Sequence, residues 1–222
     1  FKKAEFVRKN DLEGFMGCWN FGNHQSANTM GFNYFLSNEC PDSEEDALRA
    51  FANLYFPGCN TEGVVKAWLK FADAMIYYPF CVPFLYNSPT NYALALIPKP
   101  AVLNEKSTGR SWLMDERGDD LSGSITDFSL DEIIDNFRNM QKLWEEAVEI
   151  LRNSLTDIAS TRHAKNELGN AEICNAAWRS TRNIFKLYKL RKTWQKGHIP
   201  EYIRIISDEL ENLIHVFPFV ER

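Results

Sequence analysis

The stretch SLDEIIDNFRNMQKLWEEAVEILRNSL (129–155) decides the fold, because it contains both the start and the inner face of a helix. Ser129 and Glu132 form a capping box, in which each side chain accepts a hydrogen bond from the other residue's backbone N–H. Large apolar residues then recur at helical spacing, with charged residues on the opposite face. The pattern predicts an amphipathic helix over about 131–156. Its apolar residues are Ile133, Phe137, Met140, Trp144, Ala147, Val148, Leu151 and Leu155.

Four further segments carry helical signals. Ser43 precedes an acidic first turn, and Asn60 or Thr61 can cap the helix that follows. Gly197 can end a long helix, and Pro200 suits the first turn of the last one, which carries apolar residues at helical spacing. The predicted helices cover about 44–56, 62–77, 165–195 and the segment from Pro200 toward Pro218. Between them, 78–100 forms an ordered aromatic connector with five prolines.

One short N-terminal segment differs from the helices. Residues 15–21 are aromatic and bounded by glycines, which is typical of a strand. We therefore expect a mainly α fold: a helical bundle of about five helices with a short N-terminal strand-like segment. A lone strand cannot satisfy its own backbone hydrogen bonds. We therefore expect partners for this strand upstream of residue 1, so that the chain is a fragment of a longer protein.

Composition excludes some classes of protein. The 222 residues carry a net charge of −5, which disfavours nucleic-acid binding, and no apolar run is long enough to span a membrane. Residues 179–196 hold seven Lys or Arg and no acid, which we interpret as a solvated helix face opposite the acids of 131–153. Five widely spaced cysteines without a CxxC motif predict reduced thiols and a cytoplasmic location.

Motifs for catalysis or cofactor binding are sparse. No nucleotide-binding or nucleophile motif occurs, so no cofactor is expected. Asp115 and Glu116 belong to a dense acidic cluster in a predicted loop, where carboxylates are typically solvated, and we do not assign them a catalytic role. Two pairs of a histidine and a glutamate share helix faces, but two groups do not make a metal site, so no metal is expected either. The pairs are His163 with Glu167 and Glu211 with His215.

Four segments resemble the C-terminal part of large bacterial glycoside-hydrolase-like proteins, in which a helical domain follows a (β/α)8 barrel. They are GFMGCWNFGNHQSAN (14–28), VVKAWLKFADAMIYYPFCVPFLYNSPTNYALALIPKP (64–100), NAAWRSTRNIFKLYKLR (175–191) and ELENLIHVFPFVER (209–222). The resemblance implies that 14–22 is the last barrel strand. On this basis we expect residues 1–28 to be the remnant of a barrel strand with its connector and 29–222 to be the helical domain. The active sites of such barrels lie at the C-terminal ends of the strands.

The resemblance also implies a carbohydrate site at Trp19, Asn20, Asn23 and His24, where a Trp could stack on a sugar ring and amides could bind its hydroxyls. We therefore expect a helical accessory domain of a carbohydrate-active protein, not catalytic alone, that meets carbohydrate through its parent barrel. Self-association through the N-terminal strand is a further expected contact. The alternative is a self-contained helical domain that binds protein through its aromatic connector.

Overall fold

A computed structural model of the chain describes residues 1–13, 26–91, 93–95, 121–125 and 127–220. These residues are mainly helical and include no strand, so the predicted mainly α class is confirmed for them. They form eight α-helices: α1 (Lys2–Lys9), α2 (Ala27–Leu36), α3 (Glu44–Tyr55), α4 (Thr61–Met75), α5 (Val82–Asn87), α6 (Leu130–Ser154), α7 (Arg162–Lys192) and α8 (Ile199–Val220).

The predicted number of five helices is wrong, because three short helices were not expected. α1, α2 and α5 have only eight, ten and six residues, too few for a strong periodic pattern. α5 lies in the proline-rich connector and tolerates Pro83 because its first turn needs no backbone donor there. The strand predicted over 15–21 is not confirmed: it lies outside the described residues.

The five longer helices agree with their predicted positions to within a few residues. In α6 both halves of the capping box form: Glu132 N donates to Ser129 Oγ at 3.2 Å, and Ser129 N donates to Glu132 Oε2 at 2.7 Å. The inner face of this helix is buried, as its apolar pattern predicts, except that Trp144 is only partly buried. Its residues without exposed surface are Ile133, Phe137, Met140, Ala147 and Leu151.

The chain divides into two compact units, which we call unit 1 and unit 2. Unit 1 comprises Phe1–Leu69 and Val148–Leu168, and unit 2 comprises Lys70–Ala147 and Gly169–Arg222. The divisions fall inside α4, α6 and α7. The division expected after residue 28 stays a prediction, since residues 14–25 lie outside the described part.

Unit 1 has an aromatic core centred on Phe51 of α3. The Phe51 ring stacks on three others, Tyr34, Tyr55 and Trp68, with centroids 5.8, 5.4 and 5.5 Å away. α2 passes close to this ring at Gly31, where an added Cβ would lie 3.0 Å from Phe51 Cε1. Stacked rings of this kind add to the apolar area that they bury, and they hold α2, α3 and α4 together.

Unit 2 has a second apolar core, built from the connector, α6 and α7. Three rings without exposed surface meet there, and Phe84 of α5 stacks on Phe185 of α7 at 5.9 Å and lies 6.0 Å from Phe137 of α6. The described part of the connector, 78–91 and 93–95, is thus ordered, as expected. Other connector residues point outward: Phe80 is 70% exposed and Val82 is 65% exposed.

A close contact in unit 1 makes a glycine necessary. On Gly63 of α4, an added Cβ would lie 2.1 Å from Ser154 Oγ and 3.0 Å from Ser154 Cβ. We expect Gly63→Ala to lower the free energy of unfolding by about 1–2 kcal/mol in urea titrations, despite the better helix propensity of alanine.

Gly169→Ala on α7 is the matched control, because no atom lies within 4 Å of the Cβ that it adds. It should raise the free energy of unfolding by roughly 0.5–1 kcal/mol through helix propensity alone. If both substitutions stabilise the protein, Ser154 must move away from the methyl group added at position 63, and the contact between Gly63 and Ser154 would not be a tight one.

Candidate binding groove

An open groove in unit 2 combines side chains from three helices. Its volume is about 370 Å³, and every side chain that lines it is polar. Four of these side chains are cations and two are carboxylates, so the groove carries a surplus of positive charge. The lining residues are Arg138, Gln141, Lys142 and Glu145 of α6, Arg179 and Arg182 of α7, and Asp208 of α8.

Helical spacing explains why these side chains meet. On α6 the lining residues are three or four positions apart, and on α7 they are three apart, so each set shares one helix face. α8 contributes Asp208 alone. The groove therefore depends on how α8 is rotated against α7.

Asp208 is the anchor of the groove. Its carboxylate accepts hydrogen bonds from Arg179 Nη2 at 2.6 Å and Asn183 Nδ2 at 2.7 Å, and Arg182 Nη2 lies 3.5 Å away. Burial alone would raise the pKa of Asp208. The hydrogen bonds and the two guanidinium charges outweigh burial and lower this pKa to about 2. Asp208 is therefore ionised at neutral pH and neutralises one of the two arginines.

Positive charge remains on the groove wall. Within the described part of the chain, Arg182 Nε is buried without a hydrogen-bond partner. Burial, with some contribution from neighbouring Arg179, lowers the pKa of Arg182, although an arginine stays charged. Lys142 lines the groove as a further cation and, together with the hydrogen bond from Lys70, its charge contributes to the lowered pKa of neighbouring Glu146. Arg182 and Lys142 thus leave positive charge for an anionic group.

A buried polar network lies beneath the groove, between α7 and α8. Glu209 accepts hydrogen bonds from the Ser180 hydroxyl and from Asn183 Nδ2, the latter at 2.9 Å. Asn212 Nδ2 donates to Ala176 O at 2.9 Å and to Ser180 Oγ at 3.0 Å. Glu209 and Asn212 are only 5% and 2% exposed. Since buried polar groups must be hydrogen-bonded, this network fixes the rotation of α8.

The carbohydrate residues predicted from the sequence cannot be compared with this groove. Trp19, Asn20, Asn23 and His24 lie outside the described residues, as do Asp115 and Glu116. No residue of the groove was predicted as a binding residue.

The sequence feature that could have indicated the groove is the basic run 179–196, which includes Arg179 and Arg182. Lys189 does pair with Asp131 of α6, so part of this run faces the acids of that helix. Arg179 and Arg182 instead turn to Asp208, a partner 29 and 26 residues away that helical spacing cannot reveal.

The histidine and glutamate pairs have other partners. Glu167 Oε2 accepts a hydrogen bond from Ala27 N at 3.4 Å, and the His163 ring lies 4.9 Å from that of Tyr55. His215 contacts Glu172 at 3.2 Å. In the ranges that the structure describes, no group of three His, Cys, Asp or Glu could hold a metal ion. None of the described helices has the length and apolar character needed to cross a bilayer.

Comparisons with known proteins identify no relative: no family model, curated protein or solved structure matches the chain.

Asp208 should make stability depend on acid pH. Its pKa is lower in the folded chain than in the unfolded one, so its contribution is complete above the unfolded value and is lost as pH falls toward about 2. We therefore compare the free energy of unfolding in urea at about pH 6 and about pH 2. Between these two pH values, Asp208→Asn should lose roughly 2 kcal/mol less stability than the wild type.

Asp131→Asn provides the control, because Asp131 forms an exposed ion pair with Lys189 and its side chain is 71% exposed. Such pairs contribute little, so this variant should keep the pH dependence of the wild type. An unchanged pH dependence in Asp208→Asn would contradict the assigned role of Asp208.

Proposed function

We propose that the chain is a helical accessory domain of a carbohydrate-active protein that binds rather than cleaves, and that the groove takes an acidic sugar. The observation that supports this proposal is the wholly polar groove lining with its positive surplus. Its volume of about 370 Å³ is within the usual range for ligand sites, roughly 300–1,000 Å³. Such sites are mostly apolar, so this lining favours a hydrophilic ligand.

The groove side chains match the chemistry of a sugar acid. Sugar hydroxyls both donate and accept, and Gln141, Glu145 and the arginines offer acceptors and donors. A guanidinium attracts a carboxylate by charge and by hydrogen bonding, and Arg182 Nε has no hydrogen-bond partner among the described residues. The carbohydrate site predicted at Trp19, Asn20, Asn23 and His24 would be a separate one and stays a prediction.

Binding suits the groove better than hydrolysis. Glycoside hydrolysis uses one carboxyl that is kept protonated and one that is ionised. Asp208 has a pKa of about 2 and is held by Arg179 and Asn183, so it cannot serve as the proton donor.

The proposal includes a cytoplasmic location, which the free thiols of Cys40, Cys59 and Cys81 support. Protein interaction is a second candidate function, favoured by exposed apolar side chains on α8.

Binding of a glucuronic acid oligosaccharide, followed by NMR and calorimetry, tests the proposal. We expect the acidic oligosaccharide to bind and its uncharged analogue to bind far more weakly. Arg182→Gln should weaken binding by about 10-fold or more, because it removes a charge-assisted hydrogen bond. Inorganic phosphate is added as a competitor, to test whether the groove binds any small oxyanion and not specifically a sugar acid.

Arg204→Gln is the matched control, since Arg204 lies on α8 outside the groove with its side chain 78% exposed. It should leave the affinity unchanged. The proposal fails if the acidic oligosaccharide does not bind, if Arg182→Gln binds it as the wild type does, or if phosphate alone binds.

A further inference from the structure

The outer face of α8 carries a continuous line of apolar side chains, which we call the α8 stripe. Successive members are alternately four and three residues apart, the spacing of the contact positions in a coiled coil. The α8 stripe consists of Ile199, Ile203, Ile206, Leu210, Leu213, Phe217 and Val220. Five members are between 47% and 61% exposed, Ile206 and Leu213 are partly buried, and neighbouring Ile214 is 66% exposed.

The α8 stripe cannot turn inward, because buried polar residues on another side of α8 are hydrogen-bonded to α7. The buried residues of this helix are Ile205, Glu209, Asn212 and Val216, and two of these four are polar. Glu209 and Asn212 are bound to Ser180 of α7. Rotating α8 to cover the stripe would leave these buried groups without partners. The fold therefore leaves a large apolar surface outside.

The area of this surface fits a protein partner. Taking about 200 Å² for each fully exposed side chain of this size, the six exposed residues present roughly 700 Å². The largest apolar patch on an ordinary monomer is about 300–600 Å². A stable interface buries about 800 Å² on each partner, so two such surfaces together approach the size of a standard interface.

We infer that a second copy of this chain covers the α8 stripe, through antiparallel pairing of the two α8 helices. Two-fold pairing requires a surface that matches itself. With the axis near residue 208, Ile199 lies opposite the partner's Phe217, Ile203 opposite the partner's Leu213, and Ile206 opposite the partner's Leu210. Large apolar residues thus meet from Ile199 to Phe217, and no charged residue belongs to the stripe. Antiparallel helices also place opposite ends of their dipoles together.

The inference goes beyond the groove and is independent of it. Asp208 and Leu210 are two residues apart, so they lie on nearly opposite sides of α8. Pairing through the stripe leaves the groove open, and the two proposals can therefore fail separately.

Sedimentation velocity of the full chain from about 1 to about 200 µM tests the pairing, since self-association depends on protomer concentration. The wild type should form dimers. Leu210→Glu should weaken dimerisation by at least about 100-fold, because it places a charge in an apolar contact. Ile203→Arg, at a position that is 56% exposed, should have the same effect. Both variants should keep the circular dichroism spectrum of the wild type, and its melting temperature at concentrations where the wild type is monomeric.

Leu54→Glu is the matched control, since Leu54 of α3 is 63% exposed and lies outside the stripe. It should dimerise like the wild type. A wild type that stays monomeric over the whole range overturns the inference. Dimers that persist in both Leu210→Glu and Ile203→Arg, or that are lost equally in Leu54→Glu, also overturn it.

Discussion

The buried carboxylate of Glu209 is the constraint on which unit 2 depends. A carboxyl group can be buried only where hydrogen-bond partners replace water, and Ser180 and Asn183 of α7 supply them. Asn212 adds a second polar anchor one turn further along α8. The two anchors together set both the position of α8 along α7 and its rotation. A purely apolar contact would tolerate small rotations, whereas these hydrogen bonds would not.

Both candidate surfaces follow from this one orientation. With Glu209 directed at α7, the preceding residue Asp208 emerges at the edge of the contact, where it meets Arg179 and Arg182. The groove gains its anchor in this way, and Arg182 Nε is left without a hydrogen-bond partner among the described residues. Leu210, the next residue, turns outward into the α8 stripe. The charged groove and the apolar surface therefore lie on different sides of the same helix.

α6 and α8 show how far the sequence could predict this structure. In α6, local signals suffice: the capping box fixes the start, and the apolar face is the buried face. In α8, the apolar spacing correctly predicts a helix but not which side is buried. Phe217 belongs to the apolar face and is 58% exposed, whereas polar Asn212 is buried. Hydrophobic periodicity assumes an apolar interior, and a buried polar network breaks that assumption.

The groove escaped prediction for a related reason. Arg179 and Arg182 were visible as part of a basic run, but their meaning depends on Asp208, which no local rule links to them. The short helices α1, α2 and α5 present too few turns for periodicity to be read. The groove is formed by contacts between residues that are far apart in the sequence. Such contacts are the hardest part of a structure to predict from a single sequence.

A double-mutant cycle between Ser180 and Glu209 tests the central claim most directly. The free energy of unfolding is measured for the wild type, Ser180→Ala, Glu209→Ala and the double variant. If the buried hydrogen bond orients α8, the two substitutions are coupled by at least about 1 kcal/mol, because either one alone strands its partner. Effects that add to within about 0.5 kcal/mol would contradict the claim, since they would mean that the two side chains act independently.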